Sequence, residues 1–63
     1  MIKLMRQDGR VLFVFPQQIV AVLDDETDVA VLRTTDGRGF QMAGSSEEVA
    51  TAIARQTNNG HGQ

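Results

Sequence analysis

The sequence predicts an α+β domain: a small antiparallel sheet of four or five strands, able to curl toward a barrel, followed by one C-terminal α-helix. Two Asp-Gly pairs, Asp8-Gly9 and Asp36-Gly37, sit between apolar arms. Such pairs signal hairpins, because Asp and Gly best tolerate the positive φ that tight strand connections need. Two unbroken apolar runs, Val11–Phe15 and Ile19–Leu23, have the length of strands. Ser45-Ser46-Glu47-Glu48 then has the form of a helix start. At 63 residues without cysteine, the chain is one small domain with no disulfide or thiolate metal site to staple it. The folded part is expected over residues 1–56. Residues 57–63, TNNGHGQ, contain no apolar side chain and are expected to form a disordered polar tail.

Ile2–Arg6 is the first predicted strand, with Ile2 and Leu4 on one face and Lys3 and Met5 on the other. If Asp8 and Gly9 are the central residues of a type I′ turn, Arg6 falls opposite Val11, Leu4 opposite Phe13 and Ile2 opposite Phe15. Pro16 ends the second strand because it has no N–H for the ladder, and Pro16-Gln17-Gln18 makes a single turn. Ile19–Leu23 is the third strand, and Asp24–Asp28 is an acidic connection. The hairpin Val29–Gly44 follows, and the same two-residue turn at Asp36-Gly37 sets Arg33 against Phe40 and Val31 against Met42. Arg33 then lies on the apolar side and must reach past the ring or find a carboxylate. Gly44 breaks the strand. Ser45 and Glu48 suit a reciprocal capping box, and the two glutamates suit the positive end of the helix dipole. The helix is expected to reach about Gln56 and to present Val49, Ala50, Ile53 and Ala54 along one side.

One short helix covers one face of such a sheet. The expected core is Ile2, Leu4, Val11, Phe13, Phe15, Val31, Phe40 and Met42 against Val49 and Ile53. Met5, Leu12, Val14 and Leu32 then form a second apolar face, and a patch of that kind is seldom left wet. A curled sheet, a second copy of the chain or another protein must cover it. The residues expected to carry self-association or partner binding are therefore Met5, Leu12, Val14 and Leu32, with a homodimer the leading form.

The net charge of −2 and a pI near 5.0 argue against a general polyanion binder. No apolar run is long enough to span a bilayer, and the charged start MIKLMRQDGR is unlike a signal peptide, so a cytoplasmic location is expected. Asp24, Asp25, Glu26 and Asp28 fail the spacing of a calcium loop, since Val29 stands where Gly is needed and Thr35 where a bidentate Glu is needed. His61 lies in the tail without a partner for general base chemistry, and Gly37-Arg38-Gly39 is followed by no helix that could hold a phosphate. No catalytic residue, metal or cofactor is expected. Arg10 and Arg38, each after an Asp-Gly turn, are the candidates for contact with an anion or RNA, weighed against a role as edge charges that discourage aggregation.

The order IKLMRQDGR, PQQIVAV, an acidic linker, VAVLRTTDGRGFQM and SSEEVATAI resembles the FlbD-like small flagellar or swarming motility proteins, over about residues 2–54. The resemblance rests on Ile2, Leu4, Gly9, Ile19, Val29, Val31, Leu32, Gly37, Glu48 and Val49. It implies a non-enzymatic regulator that binds a host or cellular protein. Short chains of this kind also suit phages and other mobile elements. The element order is similar, too, to the carbon storage regulators, which implies as the alternative a small post-transcriptional regulator that binds RNA.

Overall fold

The structure is a computed structural model and describes residues 1–59. It has the expected α+β architecture. Strand β1 spans Ile2–Met5, β2 Val11–Val14, β3 Ile19–Asp24, β4 Ala30–Thr34 and β5 Gly39–Gln41; helix α1 spans Ser46–Asn59. A 3-10 turn at Pro16–Gln18 joins β2 to β3. The strands make two antiparallel sheets, β1-β2 and β3-β4-β5. A bridge between Arg6 and Met42 joins the sheets, supported by Gln7 N–H to the Gln41 carbonyl (2.9 Å) and Ala43 N–H to the Met5 carbonyl (3.0 Å). Through this bridge the strands follow the order β2-β1-β5-β4-β3, and because β2 and β3 do not pair among the described residues the barrel is not closed.

The hairpin turns depart from the sequence prediction, and that departure decides the faces. At the first turn, Arg6 N–H donates to the Arg10 carbonyl (2.7 Å) and Gly9 N–H to the Arg6 carbonyl (3.0 Å), so the loop is Gln7-Asp8-Gly9. The same pattern recurs around Thr35-Asp36-Gly37, where Thr34 N–H reaches the Arg38 carbonyl and Gly37 N–H the Thr34 carbonyl, both at 3.0 Å. It recurs again around Glu26-Thr27-Asp28, where Asp25 N–H reaches the Val29 carbonyl at 2.9 Å. Each is a three-residue connection whose last residue is left-handed: φ is +87° at Gly9, +86° at Gly37 and +62° at Asp28. Among the described residues Asp28 is the one non-glycine with positive φ, so neither Asp8 nor Asp36 adopts the type I′ conformation.

One extra loop residue moves each register by one position and so turns one strand of each hairpin over relative to the expectation: β2 in the first, β4 in the second. Leu4 therefore pairs with Leu12, Lys3 with Phe13 and Met5 with Val11. Leu32 pairs with Phe40, Val31 with Gln41 and Arg33 with Gly39. The core is Ile2, Leu4, Val14, Ala30, Leu32, Met42 and Val49, with Leu12, Ile19, Val22, Phe40, Ala52 and Ile53 packed against it. Ile2, Leu4, Met42 and Val49 lie where the sequence places them. Val11, Phe13 and Phe15 are instead exposed, and Val31 is replaced in the core by its neighbours Ala30 and Leu32. Arg33 is exposed and not beside Phe40; the guanidinium of Arg6 occupies that place, 6.0 Å from the ring centre.

Helix α1 begins with the expected capping box: Ser45 N–H donates to Glu48 Oε1 (2.8 Å) and Glu48 N–H to Ser45 Oγ (3.1 Å). Gly44 precedes it at φ +86°, and a Cβ there would lie 3.0 Å from Glu48 Oε1, so both conformation and space favour glycine. The inner side of the helix is Val49, Ala52, Ile53 and Gln56, a spacing of three and four; Ala50 and Ala54, expected inside, are exposed. The helix packs on β1, β3 and β4 and continues through Thr57 to Asn59, into the segment expected as tail. Residues 60–63, His61 among them, lie outside the described residues.

Two stability outcomes follow from this geometry, both measurable by chemical denaturation. Leu32 is fully buried and Leu23 is 41% exposed, so Leu32→Ala should cost about 2–5 kcal/mol and Leu23→Ala well under half of that. Asp28 holds a left-handed backbone that glycine adopts freely, so Asp28→Gly should stabilise the fold by about 0.5–1 kcal/mol.

Candidate interaction surface

The four residues expected to form a binding face are divided by the structure. Met5 is exposed, Leu12 is half-buried against the core, and Val14 and Leu32 are core residues. The expected face is thus corrected: the added turn residue points Val14 and Leu32 inward and brings Val11 and Phe13 out in their place.

The apolar surface that exists lies on the outer side of the β1-β2 hairpin. Met5 faces Val11 and Lys3 faces Phe13 across the ladder, so Val11 and Phe13 stand two residues apart on one side of β2. Phe15 continues the row. Phe13 is 59% and Phe15 52% exposed, and Met5 and Val11 are also open to solvent. A smaller exposed apolar pair, Val20 and Leu23, lies on β3. Aromatic side chains exposed in a row beside aliphatic ones are the composition of a contact surface more than of a solvated one.

Main-chain bonding differs between the two edges of the hairpin. On β1, Lys3 N–H donates to Gln56 Oε1 and Gln56 Nε2 donates to the Lys3 carbonyl, both at 2.8 Å. The helix side chain thus takes the place of a neighbouring strand at that position. Further along, the Met5 carbonyl accepts from Ala43. On the other side β2 pairs, among the described residues, with β1 alone. Nothing in the sequence marks Gln56 for its role beyond its place two helical turns after Val49.

Arg10 and Arg38 stand on separate hairpins. Arg38 is paired with Asp36 (3.4 Å), while Arg10 offers its main-chain N–H to Asp8 Oδ1 (3.0 Å) and leaves its side chain exposed. Arg6, which the sequence did not single out, bonds Asp8 at 2.8 Å and covers Phe40. The cations near the hairpin are therefore divided between turn carboxylates and solvent.

The turn aspartates organise their own loops. Asp25 Oδ1 accepts from Val29 N–H (3.0 Å) and from Thr27 N–H and Oγ1 (both 2.8 Å), and these bonds, Val29 first, hold its carboxyl below the ordinary aspartate range. Asp36 is lowered likewise, chiefly by the Thr34 hydroxyl and then by Arg38 N–H and the Arg38 charge. Asp24, Asp25, Glu26 and Asp28 do not converge. Among the described residues no three His, Cys, Asp or Glu side chains gather as metal ligands, and no helix is long and apolar enough to cross a membrane. No family model, curated protein or solved structure matches the chain.

Because the folded-state pKa of Asp25 and Asp36 is depressed, the stability they confer is present above the unfolded aspartate pKa and lost as pH falls through the folded value. Side-chain NMR titration should therefore place both midpoints below that of an aspartate in an unstructured peptide, and Thr27→Ala should move Asp25 upward while leaving Asp36 in place.

Proposed function

We propose that this chain is a non-enzymatic protein-binding module, a small cytoplasmic regulator that self-associates and works by contact through the outer face of its first hairpin. The observation that carries this reading is the exposed row Val11, Phe13 and Phe15, flanked by Met5, on a domain whose core excludes it. Large apolar side chains left outside a small core gain most when another surface dries them. The resemblance in element order to FlbD-like flagellar proteins supports a regulator of this kind, and a phage or other mobile element is a suitable source for one. Lys3, facing Phe13, and Arg10, beside Val11, give the face a polar rim.

The same neighbours favour a second reading, an RNA-binding regulator, since exposed rings beside cations suit unpaired bases. The net charge of −2 weighs against it.

The test is a photo-reactive side chain at position 5 in the producing cell, with and without the double substitution Phe13→Asp, Phe15→Asp. Both rings are more than half exposed, so the variant should fold, shifting stability by about 1 kcal/mol or less. It should lose the protein adducts that the parent forms. Protein adducts retained equally by the variant overturn the proposal; adducts to RNA, with affinity falling steeply as salt rises, favour the second reading.

A further inference from the structure

We infer that the open edge of β2 is a strand-addition site whose occupant is β2 of a second copy, run antiparallel across a two-fold axis at Leu12. This deepens the reading above, on which it rests, by naming the partner and the groups that recognise it.

The direction of the main-chain groups follows from the ladder. Arg6 and Arg10 are a hydrogen-bonded pair, so with the alternation of antiparallel strands Leu4/Leu12 and Ile2/Val14 are bonded pairs, while Met5/Val11 and Lys3/Phe13 are not. Gln56 gives independent support, because the Lys3 N–H and C=O that bond it must point away from β2. The N–H and C=O of Val11 and Phe13 therefore point off the opposite side of the hairpin, along the open edge.

That edge is bounded at both ends. Before it, the Arg10 carbonyl is taken by Arg6 N–H and the Arg10 N–H by Asp8 Oδ1. After it, Phe15 N–H donates to Gln18 Oε1 (3.1 Å), and Pro16 has no N–H. What remains is Val11 and Phe13 with one residue between them. A two-fold axis at Leu12 sets Val11 against Phe13 of the second copy and Phe13 against its Val11, so every outward N–H and C=O of both strands finds a partner and none is left over. A surface that satisfies itself under a two-fold operation is the condition for an isologous dimer.

The side chains agree with this register. Val11 and Phe13 meet across the seam on the outer face, joining the two apolar rows into one, and Leu12 meets Leu12 beneath. No charged residue occurs from Val11 to Phe15, and the two Arg10 residues fall at opposite ends of the seam. The other open edge, β3, carries the protections that natural sheets use: a register break between Ile19 and Ala21, and Asp24 with Asp25 at its end. β2 carries none of these between its bounds.

The decisive variant is chemical. Total synthesis of the full chain with N-methyl-Phe13 removes one outward N–H and leaves the side chain and the β1 pairing untouched. Sedimentation equilibrium should show a dimer for the parent and a dissociation constant raised about 100-fold or more for the methylated chain, with unchanged far-UV circular dichroism. A parent that stays monomeric up to near-millimolar concentration overturns the inference. So does a dimer that survives methylation; if Phe13→Asp, Phe15→Asp then dissolves it, the face reading holds and the edge fails. Conversely, a methylated chain that turns monomeric while still forming adducts to another protein upholds the edge and separates it from that second contact.

Discussion

Which side of a sheet a residue faces is decided by the length of the turn before it, and here that length is set by one left-handed residue in each of the three hairpin connections. Gly9, Asp28 and Gly37 occupy equivalent places, and at two of the three the preceding aspartate accepts the N–H of the residue after the glycine. The third connection obtains the same effect from Asp25, one position outside the loop. Because β2 and β4 each follow such a turn, the composition of the core is a consequence of turn chemistry as much as of hydrophobicity. Leu32 and Val14 are inside, and Phe13 outside, in keeping with the registers those turns set.

Much of this architecture is legible in the amino-acid order, and the part that is not has a definite physical cause. The strand positions, the stop at Pro16, the capping box of Ser45 and Glu48, and the inward phase of Ile2, Leu4, Met42, Val49 and Ile53 all follow from local patterns. The phase of β2 does not, because Val11–Phe15 is apolar at every position and carries no alternation. In β4 the competing sets, Val29 with Val31 and Ala30 with Leu32, are nearly equal in hydrophobicity. Only the turn could decide between them, and an Asp-Gly pair suits both a two-residue type I′ loop and a three-residue loop ending in a left-handed glycine. A hint was available in the polar residue before each pair, Gln7 and Thr35. The candidate surface inherited the same ambiguity, since a register slip exchanges the core list and the surface list.

The resulting distribution of side chains is unusual in its emphasis. The core is built from aliphatic residues and Met42, with Phe40 at its margin, while Phe13 and Phe15 stand outside. In a chain this short, large rings would be the most effective filling for the interior. Their concentration on one side of one hairpin, next to the strand edge with the fewest polar guards, ties the chemistry of the surface to the topology beneath it. Arg6 shows the opposite solution on the same hairpin: its aromatic neighbour is shielded by a cation that Asp8 holds in place.

The clamp between Gln56 and Lys3 joins positions 53 residues apart in the chain. During synthesis the first hairpin leaves the ribosome long before its clamp exists, so for most of that interval both margins of the hairpin are bare. The last helix acts as the closing stitch: until it docks, a passing strand can take the place that one amide side chain later claims.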